Sequence, residues 1–472
     1  MCPGLEKRCF QMINYSRIKR IHFVGIGGAG MSGIAEVLHN MGFIVSGSDI
    51  GEGETVKRLK SMGVAVWLGH SKDHIGDAET LVYSSAITKD NEEVREALKR
   101  KIPVIPRAEM LAELMRLKFA IAVAGTHGKT TTTSMIAAIL TTAGKDPTFV
   151  VGGRLKIEES GAKLGKSDYL VAEADESDGS FLRLFPTLAI ITNIEDDHLD
   201  YHKTMANLVQ AFIDFGDKVP FYGSVILNYD CPNARGIVSR LNKRVITYSL
   251  SQDADLRAQN IENSLFGAAF DLVLRNQPPV RIQLNVGGVH NVSNALAAIA
   301  ASLEIGVEIP VIQEGFKRFY LPERRFQVLF YTNDYLVIDD YAHHPTEINA
   351  TLQALAAGDF KRIIAVFQPH RFTRLELLMD RFTSCFEKAH QLILAEIYKA
   401  NQQEIENVNS RVLAERIKAS GYRHIIYIED FQEIIAYLEK NIKKGDAVAF
   451  LSAGNLTQTA HQFAKRMEAL HR

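Results

Sequence analysis

The sequence predicts an α/β fold with mostly parallel sheets, divided among three domains. Apolar runs of strand length alternate with amphipathic helical stretches throughout the 472 residues. Two glycine-rich loops each lie between such an apolar run and a helical pattern. Strands that alternate with helices are typical of parallel sheets covered by helices, and a chain of this length accommodates about two to four domains.

The predicted strands are spread over the whole chain. In chain order the strongest runs are IHFVGIG, FIVSGSD, AIAVAG, YLVAEAD, LAIITNI, SVILN, YLVIDDY, RIIAVFQ and AVAFLSAG. One boundary is predicted near Leu117, after the proline-containing run KIPVIPRAEMLAELM, and another near Pro322, where FKRFY gives way to LPERRF. These positions predict domains of ordinary size at residues 1–116, 117–322 and 323–472.

Composition excludes several classes of protein. The net charge of −1 gives no general attraction to nucleic acid or to an anionic membrane, so any anionic ligand must be held by local groups. The cysteines are scattered without a CxxC pair, which argues against a disulfide framework and predicts a reducing, cytoplasmic location. They are Cys2, Cys9, Cys231 and Cys385. The N-terminus lacks the apolar core of a secretory signal, and no segment approaches the roughly 20 apolar residues of a membrane span.

The first glycine-rich loop, Gly25–Gly33, follows the predicted strand Ile21–Val24 and precedes a helix. Its G-x-G-x-x-G pattern allows a tight turn and offers N–H groups at a helix N-terminus to a diphosphate. Asp49 ends the next predicted strand, where an acid that binds a ribose would lie. The alternatives are a turn without a ligand, a nicotinamide cofactor, and a nucleotide diphosphate that is itself a substrate.

The second glycine-rich loop, Gly125–Thr131, also lies between a strand and a helix. The loop amides would surround phosphates, Lys129 would neutralise their charge, and Thr130 would bind Mg²⁺. The strict phosphate-loop pattern requires a glycine at the position of Val123, so only the G-K-T part and its context match. A chance G-K-T in a loop is the alternative.

Acidic clusters follow two further predicted strands. Glu173–Asp178 comes after YLVA, and Glu195–His198 comes after LAIITNI. Ligands gather at the carboxyl ends of parallel strands, and Mg²⁺ prefers one or two carboxylates together with phosphates. The clusters and the second loop therefore predict one magnesium–nucleotide site, although an acidic run such as EADESD is also typical of a solvated loop.

These motifs, taken together and in order, resemble the Mur ligases of peptidoglycan synthesis. The motifs are GTHGKTT at 125–131, EADESD at 173–178, TN at 192–193, DHLD at 197–200, HN at 290–291, ERRF at 323–326, DDYAHHPTE at 339–347 and QPHRFTR at 368–374. The resemblance implies an N-terminal Rossmann-like domain for a UDP-sugar, a central P-loop ATPase-like domain and a C-terminal Rossmann-like domain. It also implies that ATP drives the joining of L-alanine to the lactyl carboxylate of UDP-N-acetylmuramate through an acyl phosphate, releasing ADP and phosphate.

The resemblance further implies roles for individual residues. The UDP-sugar would contact Gly27, Gly28, Ala29, Gly30, Asp49, Ser84, His127 and Asn193. ATP would contact Gly125, Thr126, His127, Gly128, Lys129, Thr130, Thr131, Asn291, Arg325 and Asp340. The amino acid would contact Tyr341, His343, Arg371 and Arg374. Metal ligands would be Thr130 and Glu173 for one Mg²⁺ and His198 for a second, with Mn²⁺ as a substitute, and the catalytic groups would be Lys129, Glu173, His198 and His343.

Several points stay open at this level. Relatives carry a carbamylated lysine on the helix after the DDH motif, whereas Asn207–Ile213 has none and places Gln210 at or near that position. His127 is interpreted as touching the substrate near its carboxylate, with a spectator role as the alternative. The adjacent His343 and His344 could instead bind a metal, but on a strand they would point to opposite faces.

Other functions remain as alternatives. The nearest is a recycling ligase that joins a murein peptide to UDP-N-acetylmuramate, while folylpolyglutamate-type ligases lack the first glycine-rich loop. A nicotinamide-dependent oxidoreductase would leave the second loop without a function, and a non-catalytic sensor would bind ATP without consuming it. The charge and hydropathy of the chain predict that it neither binds nucleic acid nor inserts into a membrane, while the sequence does not decide between a monomer and a homodimer.

Overall fold

The computed structural model describes residues 18–84, 86–155, 160–400 and 402–470. Within these ranges the strands form three sheets. The chain divides into two compact units, Met1–Leu114 with Ala162–Leu164, and Met115–Gly161 with Gly165–Arg472.

The first sheet is parallel in all its pairings and has the order β3-β2-β1-β4-β5. Its strands are β1 (Arg20–Val24), β2 (Ile44–Asp49), β3 (Ala65–Leu68), β4 (Thr80–Tyr83) and β5 (Val104–Pro106). The accompanying helices are α1 (Ala29–Asn40), α2 (Glu54–Ser61), α3 (Glu92–Lys99) and α4 (Arg107–Arg116). The strand order reverses direction between β1 and β4, so a crevice forms at the carboxyl end of β1, where the first glycine-rich loop begins.

The second sheet has the order β15-β14-β13-β12-β11-β10-β6-β9-β7-β8. Its strands are β6 (Phe119–Ala124), β7 (Thr148–Leu155), β8 (Ser160–Lys163), β9 (Tyr169–Glu173), β10 (Leu188–Ile191), β11 (Ser224–Asn228), β12 (Val245–Ser249), β13 (Leu256–Asn263), β14 (Ala268–Leu274) and β15 (Val280–Leu284). The pairings from β7 and β9 through β6 to β13 are parallel, and β13, β14 and β15 are antiparallel. Its helices are α5 (Lys129–Thr142), α6 (Leu199–His202), α7 (Met205–Gly216), α8 (Pro232–Ile237), α9 (Val289–Glu304) and α10 (Ile309–Lys317).

Helices α5, α9 and α10 pack closely against one another beside this sheet. The buried face of α9 is rich in alanine, at Ala295, Ala297, Ala298, Ala300 and Ala301. At Gly315 of α10 an added Cβ would lie 2.9 Å from the Cα of Ile139. Small residues therefore let these helices approach each other at backbone distance.

The third sheet has the order β16-β17-β21-β18-β19-β20. Its strands are β16 (Gln327–Tyr331), β17 (Tyr335–Asp340), β18 (Arg362–Phe367), β19 (Gln391–Leu394), β20 (Ile425–Tyr427) and β21 (Asp446–Leu451). Only the β16 pairing is antiparallel among the described strands of this sheet. Its helices are α11 (Pro345–Ala356), α12 (Phe372–Phe382), α13 (Ser410–Ala419), α14 (Phe431–Asn441) and α15 (Leu456–Leu470).

The predicted α/β class with mostly parallel sheets is confirmed, whereas the antiparallel β13–β15 extension was not predicted. The boundaries near Leu117 and Pro322, the cytoplasmic location and the oligomeric state stay predictions. Cys231 and Cys385 carry free thiols, and the other two cysteines lie outside the described residues. Among the helices of the described ranges, none combines the length and apolar character needed to cross a bilayer.

Candidate active site

The second glycine-rich loop joins β6 to α5 in a conformation that requires glycine. Gly125 has a φ of +129° and Gly128 a φ of +83°, both in the region that L-residues rarely adopt. An added Cβ would collide with the hydroxyl of Thr192 at the first position and with the amide oxygen of Asn294 at the second. The loop is thus a tight turn whose amides lie at the N-terminus of α5, as a phosphate site requires.

The end of β10 holds this loop in place. The side chain of Asn193 accepts a hydrogen bond from the His127 N–H at 2.8 Å and donates one to the His127 carbonyl at 3.1 Å. The Thr192 hydroxyl donates to the same carbonyl at 2.5 Å. Asn193, predicted to contact the sugar, therefore uses its amide group to brace the loop.

Lys129 is paired with a buried carboxylate. Its Nζ lies 2.9 Å from both oxygens of Glu176, which is 1% exposed, and 2.6 Å from the Gly125 carbonyl. Burial alone would lower the pKa of Lys129, but Glu176 and Asp175 raise it above its ordinary value, so the ammonium stays charged. Burial raises the pKa of Glu176 to about 7 against the opposing effect of Lys129. The sequence reasoning gave Glu176 no role of its own, although it lies in the EADESD motif.

A cavity of about 690 Å³ opens beside the loop. Its lining includes Asn291, Asn294, Arg325 and Asp340, together with the phosphate-loop residues 127–131 other than Lys129. Asn291 donates to the Gly287 carbonyl at 2.7 Å and accepts from the Asn294 amide at 3.2 Å, which fixes both side chains at the start of α9. The volume lies in the range of small-ligand sites. Asn294 was missed because a single asparagine inside a helical pattern carries no motif.

Two residues that follow α10 reach this cavity from the third sheet. The Arg325 guanidinium donates to the Thr130 hydroxyl at 3.4 Å and lies 5.1 Å above the ring of Tyr341. Asp340, at the end of β17, accepts hydrogen bonds from the Phe326 N–H and the Ala342 N–H. Burial raises the pKa of Asp340 to about 6, opposed by Arg325. The structure thus brings both predicted ATP residues of the third domain to the phosphate loop.

The groups predicted for the amino acid lie at a second junction between the two sheets. Arg374 on α12 makes a bidentate ion pair with Asp197, with both distances 3.2 Å. Burial would raise the pKa of Asp197, but Arg374 and His198 hold it well below its usual range. The Arg374 fork, expected to bind the amino-acid carboxylate, is therefore already occupied by Asp197. Arg371 lines the same small cleft as His198.

Tyr341 and His343 lie next to each other, with ring centroids 5.4 Å apart. His343 Nδ1 is 2.9 Å from the Tyr341 carbonyl, and its ring centroid is 5.9 Å from that of His370. Burial lowers the pKa of His343 to about 4, so the imidazole is neutral. Tyr341 and His343 are thus connected through His370 to Arg374, whose guanidinium lies 3.1 Å from His370 Nδ1.

His198 is held in a left-handed conformation, with a φ of 56°, at the start of α6. Burial lowers its pKa, opposed by Asp197, so the ring favours the neutral form that binds metals. Gln210 is exposed on α7 and pairs with Asp214 at 2.8 Å and with Arg240 at 2.6 Å. The Gln210 amide therefore has protein partners at both its nitrogen and its oxygen.

His127 connects the phosphate loop to α11. Its Nδ1 is 3.0 Å from Glu347 and its Nε2 is 3.8 Å from Glu195. Burial would lower the pKa of His127, but Glu347 and then Glu195 raise it to about 9, so it carries a proton at neutral pH. Burial and the charge of His127 lower the pKa of His344 to about 3. The Nε2 atoms of both rings are buried without a hydrogen-bond partner among the described residues.

Two sets of residues can be compared as metal sites. In the described part of the chain, only His127, Glu195 and His344 place three ligand atoms within 4.8 Å of one another. However, His344 Nδ1 accepts the Thr346 N–H at 3.3 Å, so its Nε2 carries the hydrogen and is a donor. With His127 protonated as well, this group suits an anionic oxygen rather than a cation.

The predicted ligands Thr130 and Glu173 fit a hard divalent ion better. Glu173 ends β9, in register with Val123 near the end of β6, and Thr130 follows Lys129 at the start of α5. A hydroxyl and a carboxylate beside a phosphate loop are the ligands that Mg²⁺ prefers. His343, whose Nδ1 faces the Tyr341 carbonyl, and His344, which caps α11, do not form the paired metal site considered as an alternative.

The first glycine-rich loop lies in the other compact unit. Gly25 and Ile26 donate their N–H groups to the Ser48 carbonyl, and the Gly27 N–H donates to the Asp49 carboxylate at 2.8 Å. At Gly25 an added Cβ would lie 3.2 Å from the Cβ of Ser84. Asp49 and Ser84 therefore both adjoin the loop, and Asp49 binds one of its amides, while their predicted contact with the UDP-sugar stays a prediction.

The start of α1 completes this loop. Gly28 is the residue before the helix, which begins at Ala29, whose side chain lies outside the described residues. An added Cβ on Gly30 would collide with the guanidinium of Arg107, the first residue of α4. Arg107 was missed because it lies far along the chain in PRAEML. Its positive charge beside a helix N-terminus makes the loop more attractive to a diphosphate.

Three family models match the chain in succession. The model described as "Mur ligase family, catalytic domain" matches residues 20–119, "Mur ligase middle domain" matches 123–302, and "Mur ligase, glutamate ligase domain" matches 324–454. Curated relatives named UDP-N-acetylmuramate–L-alanine ligase are similar over nearly all of the chain. The one from Geotalea daltonii is 49% identical over 453 residues, covering 96% of this chain and 99% of that protein. The one from Trichlorobacter lovleyi is 48% identical over 455 residues, covering 96% and 100%.

Two solved structures that this chain resembles are ligases, like the curated relatives. The UDP-N-acetylmuramate-alanine ligase of Thermotoga maritima has a TM-score of 0.81 at 27% identity, covering 96% of this chain and 99% of that one. A murein peptide ligase from Psychrobacter arcticus has a TM-score of 0.70 at 25% identity, covering 94% and 99%. Because relatives are almost half identical from end to end and the glycine-rich loops are built as the shared motifs require, the chain belongs to the Mur ligase family.

Proposed function

We propose that this chain uses ATP to join L-alanine to the lactyl carboxylate of UDP-N-acetylmuramate, releasing ADP and phosphate. The names of the curated relatives support this reaction. The observation that carries it is the cavity beside the phosphate loop, where Arg325, just before β16, donates to the hydroxyl of Thr130 at the start of α5. Such a site surrounds the phosphates of a nucleotide with groups that neutralise charge.

In the first step a carboxylate oxygen attacks the γ-phosphorus of ATP, and the bond to the β,γ-bridging oxygen breaks. This transfer depends mostly on positioning and charge stabilisation. Lys129 leaves Glu176 for the phosphates, and Arg325 approaches them from the opposite side. Magnesium ions, one held by Thr130 and Glu173 and a second by His198, would add further charge neutralisation, and Mn²⁺ has the same ligand preferences at such a site.

His127 and His344 are suited to hold the reacting carboxylate. His127 is protonated, His344 carries its hydrogen on Nε2, and the centroids of the two rings lie 4.6 Å apart. Neither Nε2 has a hydrogen-bond partner among the described residues. Two buried N–H donors close to each other bind an anionic oxygen strongly. The acid would thus be oriented toward the phosphate loop, which supports the contact predicted for His127.

In the second step the amine of L-alanine attacks the acyl carbon. The C–N bond forms, the C–O bond to the phosphate breaks, and phosphate leaves with the electron pair while the amine loses a proton. Arg371 is the arginine that supports recognition of the amino-acid carboxylate, because Arg374 is held by Asp197. His343 is neutral and can accept a hydrogen bond from the amine.

One experiment tests this proposal. Phosphate release from ATP is measured with UDP-N-acetylmuramate and, in separate reactions, L-alanine, L-serine, glycine or a tripeptide. Turnover with L-alanine is expected, and ¹⁸O placed in the substrate carboxylate should appear in the released phosphate. Turnover with the tripeptide alone would instead support the recycling reaction named for the Psychrobacter arcticus structure. ATP binding without any phosphate release would indicate a sensor.

A further inference from the structure

The buried carboxylate of Glu93 belongs to neither nucleotide site. It lies on α3, is fully buried, and accepts hydrogen bonds from the Ser48 hydroxyl at 2.6 Å and the Ser71 N–H at 3.2 Å. His74 Nδ1 lies 3.0 Å from it and His22 Nε2 lies 3.4 Å from it. Burial would raise the pKa of Glu93, but hydrogen bonds with His22 and Ser48 lower it to about 2. The carboxylate is therefore charged, and a buried charge persists only where such partners stabilise it.

This carboxylate is connected to the first glycine-rich loop through one residue. Ser48 binds Glu93 with its side chain and binds the loop with its carbonyl, which accepts the Gly25 N–H at 2.8 Å and the Ile26 N–H at 3.0 Å. The next residue, Asp49, accepts the Gly27 N–H. Glu93 thus fixes the carboxyl end of β2, the segment that holds the loop.

The same carboxylate also fixes the chain after β3. His70 Nδ1 is 3.1 Å from the Ser48 hydroxyl and 3.7 Å from Glu93. The His74 ring stacks on Trp67, with centroids 5.4 Å apart and an interplanar angle of 9°. Trp67 is the one tryptophan in the sequence. Intrinsic tryptophan fluorescence therefore reports on the surroundings of this one ring.

We propose that Glu93 is a positioning residue for the nucleotide-sugar: it holds Ser48 and Asp49, which bind the amides of the glycine-rich loop, so that the start of α1 is presented to the diphosphate. The inference rests on the proposed function only for the identity of the ligand, a uridine diphosphate sugar. Glu93 does not touch the ligand and acts through Ser48. Its removal should weaken binding of the nucleotide-sugar without affecting ATP binding or turnover at saturation.

The test compares the full chain with its Glu93→Gln and Glu93→Ala variants. Glu92→Gln is the matched control, because it removes the same charge from the neighbouring exposed position of α3. Binding of UDP-N-acetylmuramate and of UDP is followed by Trp67 fluorescence and by calorimetry, and binding of ATP by calorimetry. Because Glu93→Gln loses one charged hydrogen bond, its dissociation constants for both uridine ligands should be about tenfold higher. The increase should be larger in Glu93→Ala, and Glu92→Gln should show no change.

The kinetic outcome separates positioning from a general structural role. The KM for the nucleotide-sugar should rise while kcat and the KM for ATP stay unchanged. An equal loss of ATP affinity, a lower kcat at saturation, or unchanged uridine-ligand affinity in a folded variant would overturn the inference. If both Glu93 variants fail to fold, Ser48→Ala removes the same hydrogen bond from the other side and must show the same KM effect. Because UDP binding is measured separately, the affinities of the variants for UDP test the role of Glu93 even if the proposed substrate proves wrong.

Discussion

The pair formed by Lys129 and Glu176 predicts that a glutamine at position 176 tightens ATP binding. Without a nucleotide, the Lys129 ammonium contacts both Glu176 oxygens at 2.9 Å and the Gly125 carbonyl at 2.6 Å. When ATP binds, its phosphates must replace Glu176 as the partner of the Lys129 ammonium. Glu176→Gln keeps the size of the side chain and removes the charge that competes with the phosphates.

The expected change in ATP affinity follows from the interaction that Lys129 loses in the free protein and in the ATP complex. In the free protein, Lys129 keeps its carbonyl partners but loses a charge-assisted hydrogen bond of about 2 kcal/mol. In the ATP complex the phosphates replace that partner, so the loss there is smaller. A difference of about 1.4 kcal/mol between the two states corresponds to a tenfold stronger affinity for ATP.

The measurement combines urea unfolding with and without Mg–ATP and calorimetric titration of ATP. It is made near pH 8, because the pKa of Glu176 is raised to about 7 and the wild-type carboxylate is then ionised. Asp178→Asn is the control, since it removes a charge from the same segment without touching Lys129. Weaker ATP binding in Glu176→Gln would refute the reasoning and place Glu176 among the groups that bind the nucleotide complex.

Three further outcomes are expected. Lys129→Ala should abolish phosphate release while UDP-N-acetylmuramate still binds in calorimetry; retained turnover would contradict the phosphate-loop assignment. Asp197→Asn should lower the free energy of unfolding in urea by about 3 kcal/mol, because the buried Arg374 loses its partner, and a change under 1 kcal/mol would show that the pair is not structurally important. The pKa values of His344 and His370 are both lowered to about 3 by burial, far below the ordinary 6.5. Both rings therefore contribute stability above pH 6.5 that is lost as pH falls toward 3, and thermal unfolding between pH 7 and 4 should show a falling midpoint that His344→Asn makes less steep.

The sequence predicted those parts of the site that lie in short segments with a fixed local geometry. Each glycine-rich loop is specified by consecutive residues, and the position of Glu173 is predicted by the strand that it ends. The alternation of strands and helices is also encoded by short consecutive segments, and it predicted the parallel sheets. The β13–β15 extension was missed because its strands are only partly buried and show no continuous apolar run.

Contacts between distant segments could not be predicted in the same way. Arg374 was expected to bind a ligand, but its partner Asp197 lies 177 positions away, and nothing local indicates that the two meet. His127 and Glu347 are separated by 220 positions. The contact between Asn193 and the sugar stays a prediction, and the motif did not indicate that the Asn193 amide binds the His127 backbone, because a motif names residue types and not the atoms they contact. Glu93 could have been suspected, since it shares a helix face with Ala97, which is buried.

The alanine-rich face of α9 limits which mutations the chain tolerates far from any ligand. α9 begins at Val289 and carries Asn291 and Asn294 to the edge of the cavity, so a shift of the whole helix also displaces these amides. A valine or leucine at Ala297 or Ala300 would overpack the contact with its neighbours and cost about 1–3 kcal/mol. Temperature-sensitive mutations should therefore concentrate along the alanine-rich face of α9. The variant proteins should lose nucleotide affinity on warming before they unfold.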